Sequence, residues 1–327
     1  MRAALIAAPV SAPFPPAVVQ GLRASLDRPT GPSPGPGTQD TVTVNRTPNS
    51  TTGNPANRTA RAQARRGSAR GRARRELSQN FLADPEIIAR YARSVGDGPG
   101  GLVVEAGAGD GRITAALAGR ARRVIAYEID PVMAARLADR CAGLPHVTCV
   151  TGDFLRAGAP PGRFHLAGSI PYAATSRIVG WALAAPSLAS ATLIVQREYA
   201  RKRTGDYGRW SRLTVRTWPE FGWRLGRRIG RDRFRPVPRV DSAVLRLDRR
   251  PVPLLPASAM GAYLDCVDLG FTGVGGTVRA SLRTVHPARR VDAALRAAGL
   301  PRGVVVAHVH PDRWVALVRA LHPSLTG

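Results

Sequence analysis

The sequence predicts an α/β fold, a parallel sheet with helices on both faces, followed by a smaller C-terminal helical domain. Three observations lead there. Five short apolar runs of strand length recur at 102–106, 124–127, 147–150, 164–167 and 191–195. Segments with helical apolar spacing (112–119, 131–141 and 176–185) lie among them, and that alternation builds a parallel sheet. Beyond Pro256 the pattern turns helical, at 260–269, 278–285, 291–298 and 311–321. The 327 residues are accordingly expected to divide into an extension over 1–75, a catalytic domain over 76–250 and a helical domain over 251–327.

The extension has two parts. Residues 1–57 are rich in Pro, Gly, Thr and Ala without periodicity, the composition of a disordered segment. Residues 58–75 (RTARAQARRGSARGRARR) hold eight Arg and no acid. Like charges at that density repel and keep the chain extended until a polyanion neutralises them. The arm therefore reads as a grip on a polyanion through Arg65, Arg66, Arg70, Arg72, Arg74 and Arg75, RNA in view of the motifs below, with a solubilising tail as the alternative. The whole chain carries 48 Lys and Arg against 22 Asp and Glu, a formal +26, so nucleic acid or an anionic surface is the expected partner. A second basic stretch, 197–250, interleaves cations (Arg197, Arg201, Lys202 and Arg203 first among them) with Tyr199, Tyr207, Trp210, Trp218, Phe221 and Trp223.

Other classes are disfavoured. The three cysteines, Cys141, Cys149 and Cys266, make no Cys-x-x-Cys pair and are odd in number. That points away from a disulfide framework or a zinc site, with no metal expected, and toward the cytoplasm. The apolar stretch 180–195 is interrupted by Pro186 and too short to span a bilayer, so no membrane partner is expected. The N-terminus resembles a signal peptide only faintly, because its apolar run soon meets Pro9.

The segment LVVEAGAGDG (102–111) is a buried strand entering a glycine turn and then a helix. Glycines such as Gly107 and Gly109 let the backbone approach a ligand closely. Dinucleotide sites use a similar turn, but the spacing here is not Gly-x-Gly-x-x-Gly. Glu105 at the strand end would repel a pyrophosphate and suits a cationic amino-acid ligand. VIAYEID (124–130) sets Glu128 at the second strand tip, where a carboxylate can accept both hydroxyls of a ribose. Asp153 follows the third strand and could accept a hydrogen bond from an adenine amine. Any one of these acids could be a solvated loop charge; three at successive tips of one sheet describe a nucleoside site.

Ser169-Ile170-Pro171-Tyr172 follows the fourth strand. Here the sequence resembles amino-methyltransferases with an Asn/Asp/Ser-x-Pro-aromatic motif on a Rossmann-like class I methyltransferase sheet. The resemblance implies S-adenosyl-L-methionine as cofactor. It also implies that the Ser169 side chain and the Ile170 carbonyl accept the two protons of a target amine. Pro171 would fix the turn, and Tyr172 would stack on an extruded base.

Further motifs narrow the resemblance to the Erm-type 23S rRNA (adenine-N6) methyltransferases, over most of 76–321. LSQNFL (77–82) resembles their N-terminal motif, which implies cofactor contacts from Asn80 and Leu82. QREYARK (196–202) and FRPVPRVDS (234–242) match downstream blocks, in which the Phe234 position closes the target pocket opposite the tyrosine. FTGVGGTVRASL (271–282) is similar to the helical domain of actinomycete members. The family methylates one adenine of large-subunit rRNA and so confers resistance to macrolides, lincosamides and streptogramin B. A monomer that meets 23S rRNA before or during ribosome assembly is expected. Small-subunit dimethyltransferases share the fold but typically read Gly-Gln-His-Phe-Leu and Asn-Leu-Pro-Tyr-Asn. This chain has Asn80 before Phe81 and Ala173 after Tyr172. One position departs from the Erm pattern: Ser169 stands where Asn is usual. That substitution bears on rate and on mono- versus dimethylation, and it is the one feature that favours a catalytically lapsed RNA-binding factor.

Overall fold

The computed structural model describes residues 80–96, 100–273 and 276–326, so the arm over 1–75 and its arginines lie outside the described residues. The first described element is a two-residue strand, β1 (Phe81–Leu82). Helix α1 (Pro85–Ser94) follows and has a complete start signal: Asp84 Oδ1 accepts from the amides of Glu86 and Ile87, and Pro85 occupies the first turn. Then β2 (Leu102–Ala106), α2 (Arg112–Ala118), β3 (Arg123–Glu128), α3 (Pro131–Cys141) and β4 (Val147–Thr151) alternate as the apolar pattern predicts. The chain next crosses back to β5 (Phe164–Ser169), α4 (Thr175–Ala184) and β6 (Leu188–Gln196).

The basic stretch 197–250 is ordered structure. It holds α5 (Arg197–Arg203), α6 (Arg212–Thr217), β7 (Phe221–Ile229), β8 (Phe234–Arg235) and β9 (Ser242–Arg249). The seven-stranded sheet runs β4-β3-β2-β5-β6-β9-β7. Its first five strands are parallel, whereas β9 pairs antiparallel with both β6 and β7, so β9 alone runs in the opposite direction. The five strands read from the apolar runs do form a parallel sheet with helices, and two further strands from the basic stretch extend it into a mixed one. The reason is local: β9 returns from β7 on the same side of the sheet with no crossover helix between them. Two clusters of buried side chains flank the sheet, one around Phe164, Leu193 and Leu245 and the other around Val124, Leu137 and Phe234.

The last part is helical: α7 (Ala257–Gly270), α8 (Val278–Leu282), α9 (Ala288–Ala297), α10 (Pro311–Leu321) and α11 (Pro323–Thr326). Its core contains fully buried Tyr263, Trp314 and Leu317, and it includes Val215 of α6. Trp314 packs against Gly270, where an added Cβ would lie 2.3 Å from the indole. Arg212 and Arg216 both pair with Asp268, and the Trp218 indole donates to Asp312 at 2.6 Å, so α6 and its exit are bound to the helices. Among the described residues no helix is long and apolar enough to cross a membrane, and no group of three or more metal-binding side chains occurs.

Candidate active site

The chain runs from β2 outward to β4 and then returns to β5 on the other side of β2. That reversal opens a crevice at the carboxyl ends of β2 and β5, the usual ligand position in an open α/β sheet. The glycine turn after β2, Glu128 at the end of β3, Asp153 after β4 and Ser169 at the end of β5 all lie on this edge. The structure thus brings the four sequence signals to one rim.

The turn is held from two sides. The Gly109 amide donates to Glu128 Oε2 at 2.7 Å, and the Asp130 amide donates to Oε1 at 2.8 Å. Gly109 has φ +59°, and a Cβ there would lie 2.7 Å from the Phe81 ring. A side chain at 109 would displace the aromatic that β1 lays over the turn. Glu128 is 4 % exposed, and burial raises its carboxyl above the usual range against the pull of the amides. Ionised, it has lone pairs left for ribose hydroxyls. Ile129, the next residue, is 49 % exposed despite its apolar side chain. It offers a greasy surface beside the carboxylate, suited to covering a base, and sequence reasoning missed it. The available signal was an isoleucine between two acids at a strand tip.

Glu105 lies deeper than a strand-end acid was expected to lie. It is fully buried, its Oε2 accepts from Thr114 Oγ1 at 2.6 Å, and its Oε1 has no partner among the described residues. Burial pushes its carboxyl up to about 8, opposed by the Thr114 hydroxyl. A buried acceptor left without a donor costs free energy until a cation or donor reaches it. Together with the glycine turn and Glu128, this donor set fits a nucleoside carrying a cationic amino acid, as S-adenosylmethionine does. The raised carboxyl also predicts a pH dependence. In the unfolded chain Glu105 ionises near 4.5, so without ligand its burial costs stability progressively as pH rises from about 4.5 to about 8. Glu105→Gln is expected to remove that slope, raising the urea midpoint of the ligand-free protein more at pH 8 than at pH 5. Equal shifts at both pH values would refute the assignment.

Asp153 is half-buried and caps the turn after β4, its Oδ1 accepting from the Leu155 amide at 3.0 Å. Ser169 is half-buried, whereas Ile170 is 3 % exposed and its amide donates to the Ile194 carbonyl at 3.2 Å. The Pro171 carbonyl accepts from the Ala174 amide at 2.9 Å and from Thr175 Oγ1 at 3.3 Å, which closes the turn. Tyr172 is half-buried, and its hydroxyl meets Ser242 Oγ at 3.0 Å. Burial raises the Tyr172 hydroxyl, so it stays protonated.

Leu82 and Phe234 meet through backbone pairing, with Asn80 just ahead of the strand. Strand β1 is antiparallel to β8, with Leu82 opposite Phe234. Asn80 is half-buried, but Leu82 and Phe234 are 3 % and 2 % exposed. Phe234 is therefore a core side chain as well as a neighbour of the site. The cations differ from one another. Arg201 pairs with Asp206 and stacks 3.9 Å over the Tyr207 ring, while Arg203 covers Tyr199 at 4.9 Å and donates to Ser211 at 3.0 Å. The Arg197 amide is tied to the Asp241 carbonyl at 3.0 Å, and Lys202 is exposed.

Strand-tip acids and a Ser-x-Pro-aromatic turn on one rim of an open α/β sheet are the arrangement of a class I, S-adenosylmethionine-dependent methyltransferase. The chain belongs to the ribosomal RNA adenine dimethylase family, whose profile matches residues 70–322. It is 56 % identical over 252 residues to the rRNA adenine N-6-methyltransferase of Streptomyces fradiae, covering 76 % of this chain and 79 % of that one. It is 38 % identical over 251 residues to the mycinamicin-resistance protein MyrB of Micromonospora griseorubida, covering 75 % and 78 %. The crystal structure of the 23S rRNA methyltransferase ErmE superposes with a TM-score of 0.72 at 51 % identity, covering 74 % of this chain and 99 % of that one.

Proposed function

We propose that this protein transfers methyl groups from S-adenosylmethionine to the N6 amine of an adenine in 23S rRNA, conferring macrolide, lincosamide and streptogramin B resistance. One observation carries the reading: the Ser169–Tyr172 turn leaves β5 at the switch point of the sheet, across from the Gly107–Gly111 turn and Glu128. The similarity to ErmE and MyrB supports the substrate and the resistance. When bound, the cofactor supplies an electrophilic methyl on a sulfonium. Asn80, Leu82, Glu105, Gly107, Gly109, Glu128 and Asp153 hold it, with Ile129 against its base. Ser169 Oγ and the Ile170 carbonyl accept hydrogen bonds from the two amine N–H groups, which keeps the nitrogen lone pair out of the adenine ring and stabilises its growing positive charge; one proton then leaves the methylated nitrogen for solvent. Tyr172 stacks on the base once it has left its own stack.

The rest of the chain grips RNA. The arginine arm over 58–75 and exposed cations such as Lys202 neutralise phosphates, which orients the enzyme without reading sequence. The helical segment 251–327 extends that surface. The protein works as a cytoplasmic monomer on rRNA that is not yet fully assembled.

Labelled S-adenosylmethionine with protein-free 23S or 16S rRNA tests the reading. Label is expected in an adenine of 23S rRNA only. Label in 16S rRNA would make the chain a small-subunit enzyme. Label in neither would favour a lapsed binding factor, the reading that Ser169 in place of Asn allows. Ser169→Asn would then restore transfer.

A further inference from the structure

We propose that Tyr91 is a positioning residue for methyl transfer: its buried hydroxyl sets the place at which β5 delivers the Ser169 and Ile170 acceptors. The inference rests on the function proposed above and assigns a role to a side chain outside the crevice. Tyr91 lies on α1 and is 3 % exposed, so it acts through its neighbours and not on substrate. Its hydroxyl accepts from the Gly168 amide at 2.8 Å and donates to the Thr192 carbonyl at 2.6 Å. In the parallel register Gly168 stands opposite Leu193, so the Gly168 N–H and the Thr192 C=O face each other across β5 and β6. The next rung is the Ile170 amide to the Ile194 carbonyl. The hydroxyl thus meets the seam between the strands one rung before the acceptor turn.

Gly168 is confined from its other side as well. Its φ is +154°, and an added Cβ would lie 2.4 Å from the Ala106 carbonyl oxygen at the end of β2. The glycine is clasped between that carbonyl and the Tyr91 hydroxyl, and Ser169 follows it directly. Burial pushes the Tyr91 hydroxyl far up, so it remains a donor at any working pH. Displacing catalytic acceptors by about 1 Å can cost on the order of a hundredfold in rate, so a clasp at the preceding residue has catalytic weight.

The test is Tyr91→Phe in the full chain, assayed in single turnovers with cofactor in excess, which also favours the folded state. The rate is expected to fall about tenfold while cofactor affinity and KM for rRNA stay within about twofold. Tyr263→Phe is the control, because that hydroxyl is also buried and donates to the Val215 carbonyl at 2.6 Å in the helical core. It should lower thermal stability comparably and leave the rate alone. A double-mutant cycle adds a readout that a structural role would not move. If Tyr91 acts through the acceptors, Ser169→Ala should cost less in the Tyr91→Phe background than in the wild type. An unchanged rate in Tyr91→Phe, or strictly additive losses, would overturn the proposal. Should the variant prove too unstable to assay, amide exchange in the wild type decides. A Gly168 amide slower than that of Leu166, which is paired in the same ladder but lies farther from the strand end, supports the clasp, and one that is faster overturns it. A wild type inactive on every rRNA would overturn the function itself, and is seen before any variant is made.

Discussion

Replacing Tyr172 with leucine slows methyl transfer by about one to two powers of ten, because an aromatic stack on an extruded base contributes roughly 1–3 kcal/mol. Cofactor affinity is unaffected, since Tyr172 lies on the turn after β5 and not on the acids of β2 and β3. Among the described residues its hydroxyl bonds the side chain of Ser242 alone, and the residue is half-buried, so the fold loses little. Phe234→Leu behaves differently. The sequence places this ring on the base and not in the fold, yet it is 2 % exposed in the cluster with Leu82, Ile88 and Ile229. It should lower the rate and also cost roughly 1–3 kcal/mol of stability. Single-turnover rates with thermal melts separate the two, and equal melting losses in both variants would make Tyr172 a core residue.

Glu128→Ala weakens S-adenosylmethionine binding by about 1.5–3 kcal/mol, through loss of a charged acceptor for the ribose. The structure adds a second cause. The same carboxylate holds the amides of Gly109 and Asp130, so its removal also frees the turn that lies against the ligand. The burial that raises the Glu128 carboxyl implies a pH trend: wild-type affinity falls as pH drops through the raised value, and the mutant loses that dependence. Titration calorimetry at two pH values checks both. Unchanged affinity in the mutant would remove Glu128 from the site.

The parallel half of the sheet was legible because its strands are continuous apolar runs between glycines and charges, as in 102–106 and 164–167. The antiparallel half was not. In β7 the residues 224–228 are all exposed, three of them arginines, and a register shift between Leu225 and Arg228 breaks the alternation. Strand β9 does alternate, burying Ala243, Leu245 and Leu247, but it lies inside a stretch whose charge dominated the reading. Helix α1 carries a start signal in Asp84 and Pro85, but it stands outside the alternation of strands and helices from which the sheet is read. The acids at the strand tips were legible because the chemistry needs them at fixed positions in the fold. The burial of Glu105, the exposure of Ile129 and the meeting of Tyr91 with Gly168 depend on which elements pack together, and no local pattern encodes that.

The central claim, methylation of one adenine of 23S rRNA, is tested most directly by mass spectrometry of rRNA fragments from cells with and without this protein. One 23S fragment carrying an adenine heavier by one or two methyl groups, present only with the protein and absent with Tyr172→Leu at short induction, is the predicted result. Identical 23S fragments in both cells, or a new methyl group confined to 16S rRNA, would contradict it.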